Sequence, residues 1–319
     1  MTQARRHHFV SECLLAGFTE SGSADDVLWV HDLQRRHIRR QRPKEVAHER
    51  DWNLVAISGE HPQMVEDAYS DLESRAAPVI RRIEAQHELP SGEQLRDLLG
   101  FVAHLVTRGR HHRGWLRYAT NRMNKLHLEM VAGTPEQLSE TTERLRADAV
   151  DVGALDHDRV REIIDSDKYR IEPNQTWLVA HAVVDAERIF SLLRERHWGL
   201  LVAHGTDRFI CSDKPVTLMP VAPGGSVGWA TRNSAAIVPL SKSVVLTGTY
   251  EPLTWAPVRT MSQREHVAFT NRMTISNTGF AYSAEKEFVW TNDDGRIANA
   301  SEWLATAALP VDDGDPDGS

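Results

Sequence analysis

Apolar residues recur at Val65, Tyr69, Leu72, Ala76, Val79 and Ile83, at spacings of three and four, which is one face of an amphipathic helix. Pro78 within that face predicts a bend or a split. Ser91 to Gln94 has the form of a capping box, and Leu95, Leu98, Leu99, Val102 and Leu105 form a stripe that predicts a second helix reaching Gly109. A third helix is expected over about Trp115 to Val131, ended by Gly133 and Pro135, with others in Glu136 to Ala149, Asp158 to Ile164 and Thr176 to His197. The period changes on either side of this run. Val27 to His31 reads as a strand with Arg35 to Arg40 as its hairpin partner. Leu200 to Ala203 and Arg208 to Cys211 flank a Gly-containing turn and predict another hairpin, which Val216 to Met219, Ala235 to Val238 and Ser243 to Thr249 extend into a sheet. Arg264 to Met273 reads as helical, and Gly279 to Ser283 and Phe288 to Trp290 as strands returning to the sheet. The fold class is therefore α+β: a central helical segment, about 61–198, packed with a mostly antiparallel sheet from the N-terminal and C-terminal parts. One domain over 1–305 contains this helical subdomain, and the acidic 306–319 has the composition of a disordered tail.

Composition narrows the setting. The 319 residues are 41% hydrophobic and 26% charged, so most of the chain has to fold. No stretch approaches the roughly 18 apolar residues of a membrane span, and the start, MTQARRHHFV, carries charge with no apolar run behind it. No membrane partner and a cytoplasmic location are expected. Cys13 and Cys211 are too few for a disulfide framework and lack the spacing of a zinc knuckle, which fits a reducing compartment. The net charge of −8 conceals two windows without acids: Arg35, Arg36, Arg39, Arg40, Arg42 and Lys44, then Arg108, Arg110, Arg113, Arg117, Arg122 and Lys125. Trp115 and Tyr118 interleave with the second window, as suits a single-stranded nucleic acid. Arg35, Arg36, Arg39, Arg40, Arg110, Arg113, Arg117, Arg122 and Lys125 are its expected contacts, the alternative being two solvated faces.

Several short blocks carry a family resemblance. HHFVSECLLAGF, the helix of Glu73 with its Ala-Ala-Pro-Val, the Phe101 to Arg108 helix, CSDKPV and NRMTISNTGF occur in an order that resembles the bacterial domain-of-unknown-function family 4238. In that family the opening block typically reads His-Tyr-Val-Pro-Gln and ends on Phe; here His8, Phe9, Val10 and Phe18 match, and Ser11 and Glu12 replace Pro and Gln. Its Asp-Asn-Pro block matches as Asp213, Lys214 and Pro215, with Lys in the Asn position. The resemblance implies one family domain from Arg6 to about Trp290 and supplies no biochemistry.

At helical spacing Asp97, Phe101, His104, Arg108 and His111 share one face. A histidine moves protons near neutral pH, and an arginine forks onto a phosphate or carboxylate. His8, Glu73 and Asp213 are the candidate ligands of a divalent metal ion, a set that needs distant segments to meet. Asp213, at a strand end before Pro215, suits a ligand or general base and equally a plain turn. Arg122 and His127 form an Arg-x-x-x-x-His pattern similar to that of helical HEPN ribonucleases, although the spacing puts the two side chains on diverging faces. No HExxH, CxxC, GxSxG or GxxxxGK motif is present. The leading expectation is an enzyme hydrolysing phosphodiester bonds of RNA or DNA, with His8, Glu73, His104, Arg108 and Asp213 as its catalytic set. The alternatives are a non-catalytic module binding nucleic acid or an acidic partner, and an enzyme acting on a small anionic substrate. The sequence leaves the oligomeric state open.

Overall fold

The computed structural model describes residues 6–203, 205–222, 224–261 and 263–309. In chain order, β1 (Arg6–His8), α1 (Glu12–Ala16), β2 (Leu28–Asp32), β3 (His37–Gln41) and β4 (His48–Arg50) precede a run of helices. These are α2 (Met64–Gln86), α3 (Gly92–Thr107), α4 (Arg110–Val131), α5 (Pro135–Ala147), α6 (His157–Ser166) and α7 (Gln175–Arg194). The strands β5 (His197–Ala203), β6 (Cys211–Ser212), β7 (Thr217–Pro220), β8 (Ser234–Pro239), β9 (Val244–Thr249) and β10 (Val258–Met261) follow. The described chain ends with α8 (Arg264–Thr274), β11 (Phe280–Ser283), β12 (Val289–Thr291), β13 (Ile297–Asn299) and α9 (Ala300–Thr306). The α+β class read from the pattern is the class observed.

The largest sheet has the order β10-β5-β9-β8-β7, antiparallel except for the parallel pair of β10 with β5. Its inner strands β5, β9 and β8 are buried on both faces because helices cover both. Leu200, Leu246, Ala236 and Val238 point into the main core shared with α2, α3 and α7, while the alternate residues Leu201, Val245 and Ile237 pack with Val267 and Ala268 of α8. Trp198 lies directly across from Gly248, where a Cβ would stand 2.7 Å from the indole, so the absence of a side chain at 248 is what admits the ring. A second, antiparallel sheet runs β3-β2-β11-β6, and β1 pairs with β4 and β12 with β13 as ribbons. Among the described residues no helix is long and apolar enough to cross a membrane.

Several expectations need correcting. Residues 200–211 do not form a hairpin. Cys211 pairs with Tyr282 in the second sheet, and the neighbours of β5 are β9 and β10, which come much later in the chain. An isolated hairpin leaves its faces wet, whereas this pairing buries both faces of β5. β11 joins β2 and not the larger sheet, and among the described residues β12 pairs only with β13. Pro78 neither splits nor ends α2; Ser74, whose carbonyl loses its partner, and Pro78 are both exposed, so water satisfies that carbonyl. Ser91 is the N-cap of α3, but its hydroxyl makes no capping bond. The following Gly92 has φ +59°, which turns the chain away from box geometry. Of the expected tail, residues 310–319 lie outside the described residues, and α9 already claims Thr306.

Candidate functional site

Two i, i+4 pairs on facing helices build a polar cluster inside the helical layer. Tyr69 and Glu73 lie one turn apart on α2, His104 and Arg108 one turn apart at the end of α3, and the two helices pack against each other. Tyr69 and His104 meet edge to face with ring centroids 5.2 Å apart, and the Arg108 guanidinium lies 5.5 Å from the Tyr69 ring. Arg108 is only 2% exposed. Its Nη1 donates to Glu73 Oε1 at 2.7 Å, and its carbonyl accepts from Trp52 Nε1 at 2.8 Å, so both ends of the residue are fixed. Two turns before His104 on α3, Asp97 pairs with Arg75 of α2 at 3.3 Å.

His8 enters from β1. Strand alternation sends the adjacent histidines to opposite sides: His7 Nδ1 accepts the Asn53 N–H at 2.8 Å, while His8 faces the His48 ring at 5.5 Å and feels the charges of Arg108 and Glu73. Burial first, then for His8 the charges of His48 and Arg108 and for His104 that of Arg108, hold both imidazoles at a pKa of about 4, so both are neutral at pH 7. Burial likewise raises the Tyr69 phenol and keeps its proton on. Glu12 is pushed up by burial and by Glu73, and Cys13, at about 11, stays a thiol for the same two reasons.

Five buried polar atoms of this cluster have no partner among the described residues: Arg108 Nε and Nη2, His8 Nε2, His104 Nδ1 and Tyr69 Oη. A buried donor or acceptor left unmatched costs about 1–3 kcal/mol, and more when charged, so such a concentration asks for a reason. Nε and Nη2 occupy one edge of the guanidinium plane, the edge that presents two parallel N–H bonds to a carboxylate or phosphate.

Four of the five residues expected to act together thus come together, and Asp213 does not join them. It is seated beyond β6, where Oδ2 accepts the Gly279 N–H at 3.3 Å and the nearby charges are His111 and Arg110. Burial raises the Asp213 carboxyl. The metal set His8, Glu73 and Asp213 is therefore not assembled; among the described residues no group of three or more His, Cys, Asp or Glu side chains is placed to hold a metal ion. His111 also leaves the face expected for it, because α3 ends at Thr107 and His111 belongs to α4.

The basic windows sit differently from a polyanion track. Arg113 is 0% exposed, with Nη1 donating to the Trp52 carbonyl, Nη2 to Asn53 Oδ1 at 2.7 Å, and its guanidinium 3.8 Å from the Trp52 ring centroid. It is an internal cross-link and no surface contact. Arg35 and Arg39 both pair with the buried Asp32, at 3.3 and 3.2 Å, Arg36 donates to the Leu304 carbonyl, and Arg40 lies over Trp29. Arg110 pairs with Glu49 at 2.5 Å, Arg117 with Glu172 at 3.8 Å and Lys125 with Asp167. Arg122 and His127 are exposed on α4, on diverging faces. Most of the expected phosphate contacts are thus matched by the protein's own acceptors.

Sequence reasoning read Tyr69 as core and passed over His48 and Glu12. The signal for Tyr69 was present, since it stands one turn before Glu73, whereas His48 is brought to His8 only by the pairing of β1 with β4. The model of a protein family described as a protein of unknown function, DUF4238, matches residues 6–287. No curated protein and no solved structure matches the chain.

Proposed function

The chain belongs to the DUF4238 family of unknown function, so its chemistry has to be read from its own side chains, and from them we propose that it is an enzyme acting on a small anionic substrate. The observation that carries this reading is the group of unmatched polar atoms around Arg108. Glu73 takes Nη1 and leaves the Nε and Nη2 edge, which fits two oxygens of a carboxylate or phosphoryl group. His8 and His104 are neutral, so each offers a lone pair for proton abstraction. An anion seated on Arg108 raises both imidazole pKa values toward neutrality, which lets one histidine return a proton to a leaving group while the other accepts one. Tyr69 supplies a neutral O–H donor beside them.

A polynucleotide substrate is favoured less, because it asks for a run of open cations, and Arg35, Arg39, Arg110, Arg117 and Lys125 have carboxylate partners. The test is turnover by the full chain on p-nitrophenyl phosphate, bis-p-nitrophenyl phosphate, p-nitrophenyl acetate, an aryl ester bearing a carboxylate, and a short single-stranded RNA. Hydrolysis of a small anionic ester is expected, falling about a hundredfold or more in Arg108→Lys and His8→Gln, with melting close to that of the parent. Turnover of none of these, or turnover that survives both substitutions, overturns the proposal. Cleavage of the RNA alone returns the polynucleotide reading.

A further inference from the structure

A cavity of about 400 Å³ lies where the α3–α4 joint meets the loop after β6 and the end of α8. Two of the sequence blocks, CSDKPV and NRMTISNTGF, converge on it: Asp213, Lys214 and Val216 from the first, Ser276 and Asn277 from the second. It is distinct from the Arg108 cluster. Leu105, Val106 and Gly109 line it, and neither His104 nor Arg108 does.

Its walls are largely apolar, from Leu105, Val106, Val216, Leu218 and Trp229, and its volume falls within the roughly 300–1,000 Å³ typical of small-molecule sites. Basic groups gather at the polar end. The first turn of the 22-residue helix α4 abuts the cavity through Gly109, His111 and His112, and its N-cap Gly109 makes no side-chain capping bond. Lys214 also lines the cavity and has no ion pair or side-chain hydrogen bond among the described residues. The second, independent sign of a ligand is Asp213: 6% exposed, it lines the cavity and carries Oδ1 buried without a partner. Its carboxyl is not a bare charge repelling an anion, since burial favours its protonated form and His111 and Arg110 oppose its charge otherwise. When protonated it presents a donor.

We propose that this cavity binds a small organic anion with an apolar body, its carboxylate or phosphate held by Lys214, the α4 N-terminus and Asp213, and its body packed against Trp229 and Leu218. The inference is independent of the function proposed for Arg108. Calorimetric titration of the full chain with phenylacetate and phenyl phosphate tests it, with phenylacetamide as the uncharged control and acetate as the control lacking a body. At least one of the two aryl anions is expected to bind, and both controls at least tenfold more weakly. Lys214→Gln, which breaks no ion pair or side-chain hydrogen bond among the described residues, is expected to weaken the bound anion about tenfold, and Leu218→Trp, which fills the cavity, to abolish it. Binding of neither anion, equal binding of phenylacetamide, or full affinity in Lys214→Gln overturns the proposal. Circular dichroism identifies a misfolded Leu218→Trp, in which case Lys214→Gln decides alone.

Discussion

Arg113→Met removes a charge that the sequence pattern assigned to a phosphate-binding surface and the fold assigns to the interior. The loss can be worked from the contacts. Asn53 Oδ1 loses its donor at 2.7 Å and becomes a buried orphan, costing about 1–3 kcal/mol. The stacking over Trp52 adds about 1–2 kcal/mol, as a desolvated cation–π contact. The Trp52 carbonyl keeps a donor in Gln175 and loses little. Against these stands relief from burying the guanidinium, whose pKa is drawn down to about 10 chiefly by desolvation. The deletion terms win, because Met fills the space but satisfies neither acceptor, leaving a net loss of about 3 kcal/mol. Asn53 also donates to Glu66 at 2.6 Å and to His7 through its backbone, so the disturbance spreads to β1. The melting temperature should fall by about 6–12 °C, at roughly 2–4 °C per kcal/mol for chains near this size. Arg117→Met, which breaks an exposed pair 3.8 Å long, should cost below about 0.5 kcal/mol. Arg113→Lys should recover little, since an ammonium reaches one acceptor and cannot stack as a plane. Thermal melts of the three variants by circular dichroism decide the matter. An Arg113→Met protein that melts with the parent but loses affinity for single-stranded RNA would refute the internal cross-link and restore the surface role.

Two further outcomes follow from buried groups. His8, His31 and His104 are each held at about 4 in the fold, mainly by burial, against about 6.5 in the unfolded chain. The unfolded state therefore binds more protons between these values, and stability should fall as the pH drops from about 6.5 to about 4. His31→Gln, which keeps an amide near Ser283 Oγ, should flatten that decline by up to about 3 kcal/mol in urea titrations, and an unchanged slope would contradict the assignment. Arg196 is buried and donates to Ser234, to the Gly248 carbonyl and to the Trp229 carbonyl, so it ties the loop carrying Trp229 to the sheet. Arg196→Lys should cost about 2–4 kcal/mol in thermal or urea unfolding and loosen any ligand held against Trp229, and a variant as stable as the parent would show that the fork is dispensable.

What the sequence determined by itself is the content that repeats locally. The stripes of α2 and α3, the run of helices and the switch to strands after Arg194 are periodic, and a helix satisfies its backbone within a few residues of itself, so its period is visible in the chain. For the same reason the pairing of His104 with Arg108 one turn later was legible, and it marked half of the polar cluster. Strand partners were not legible. β5 takes β9 and β10, and β6 takes β11, because burying both faces of a sheet is decided by surfaces far apart in the chain. Charge was the least legible quantity. Arg113 reads as one more cation on a basic helix until the fold sets the Trp52 carbonyl, Asn53 and the Trp52 ring around it. Asp213 reads as a partner of His8 and Glu73 until its strand joins β11 and sets it beside His111. An ionisable side chain takes its role from the groups that desolvate and oppose it, and only the tertiary structure brings those groups together.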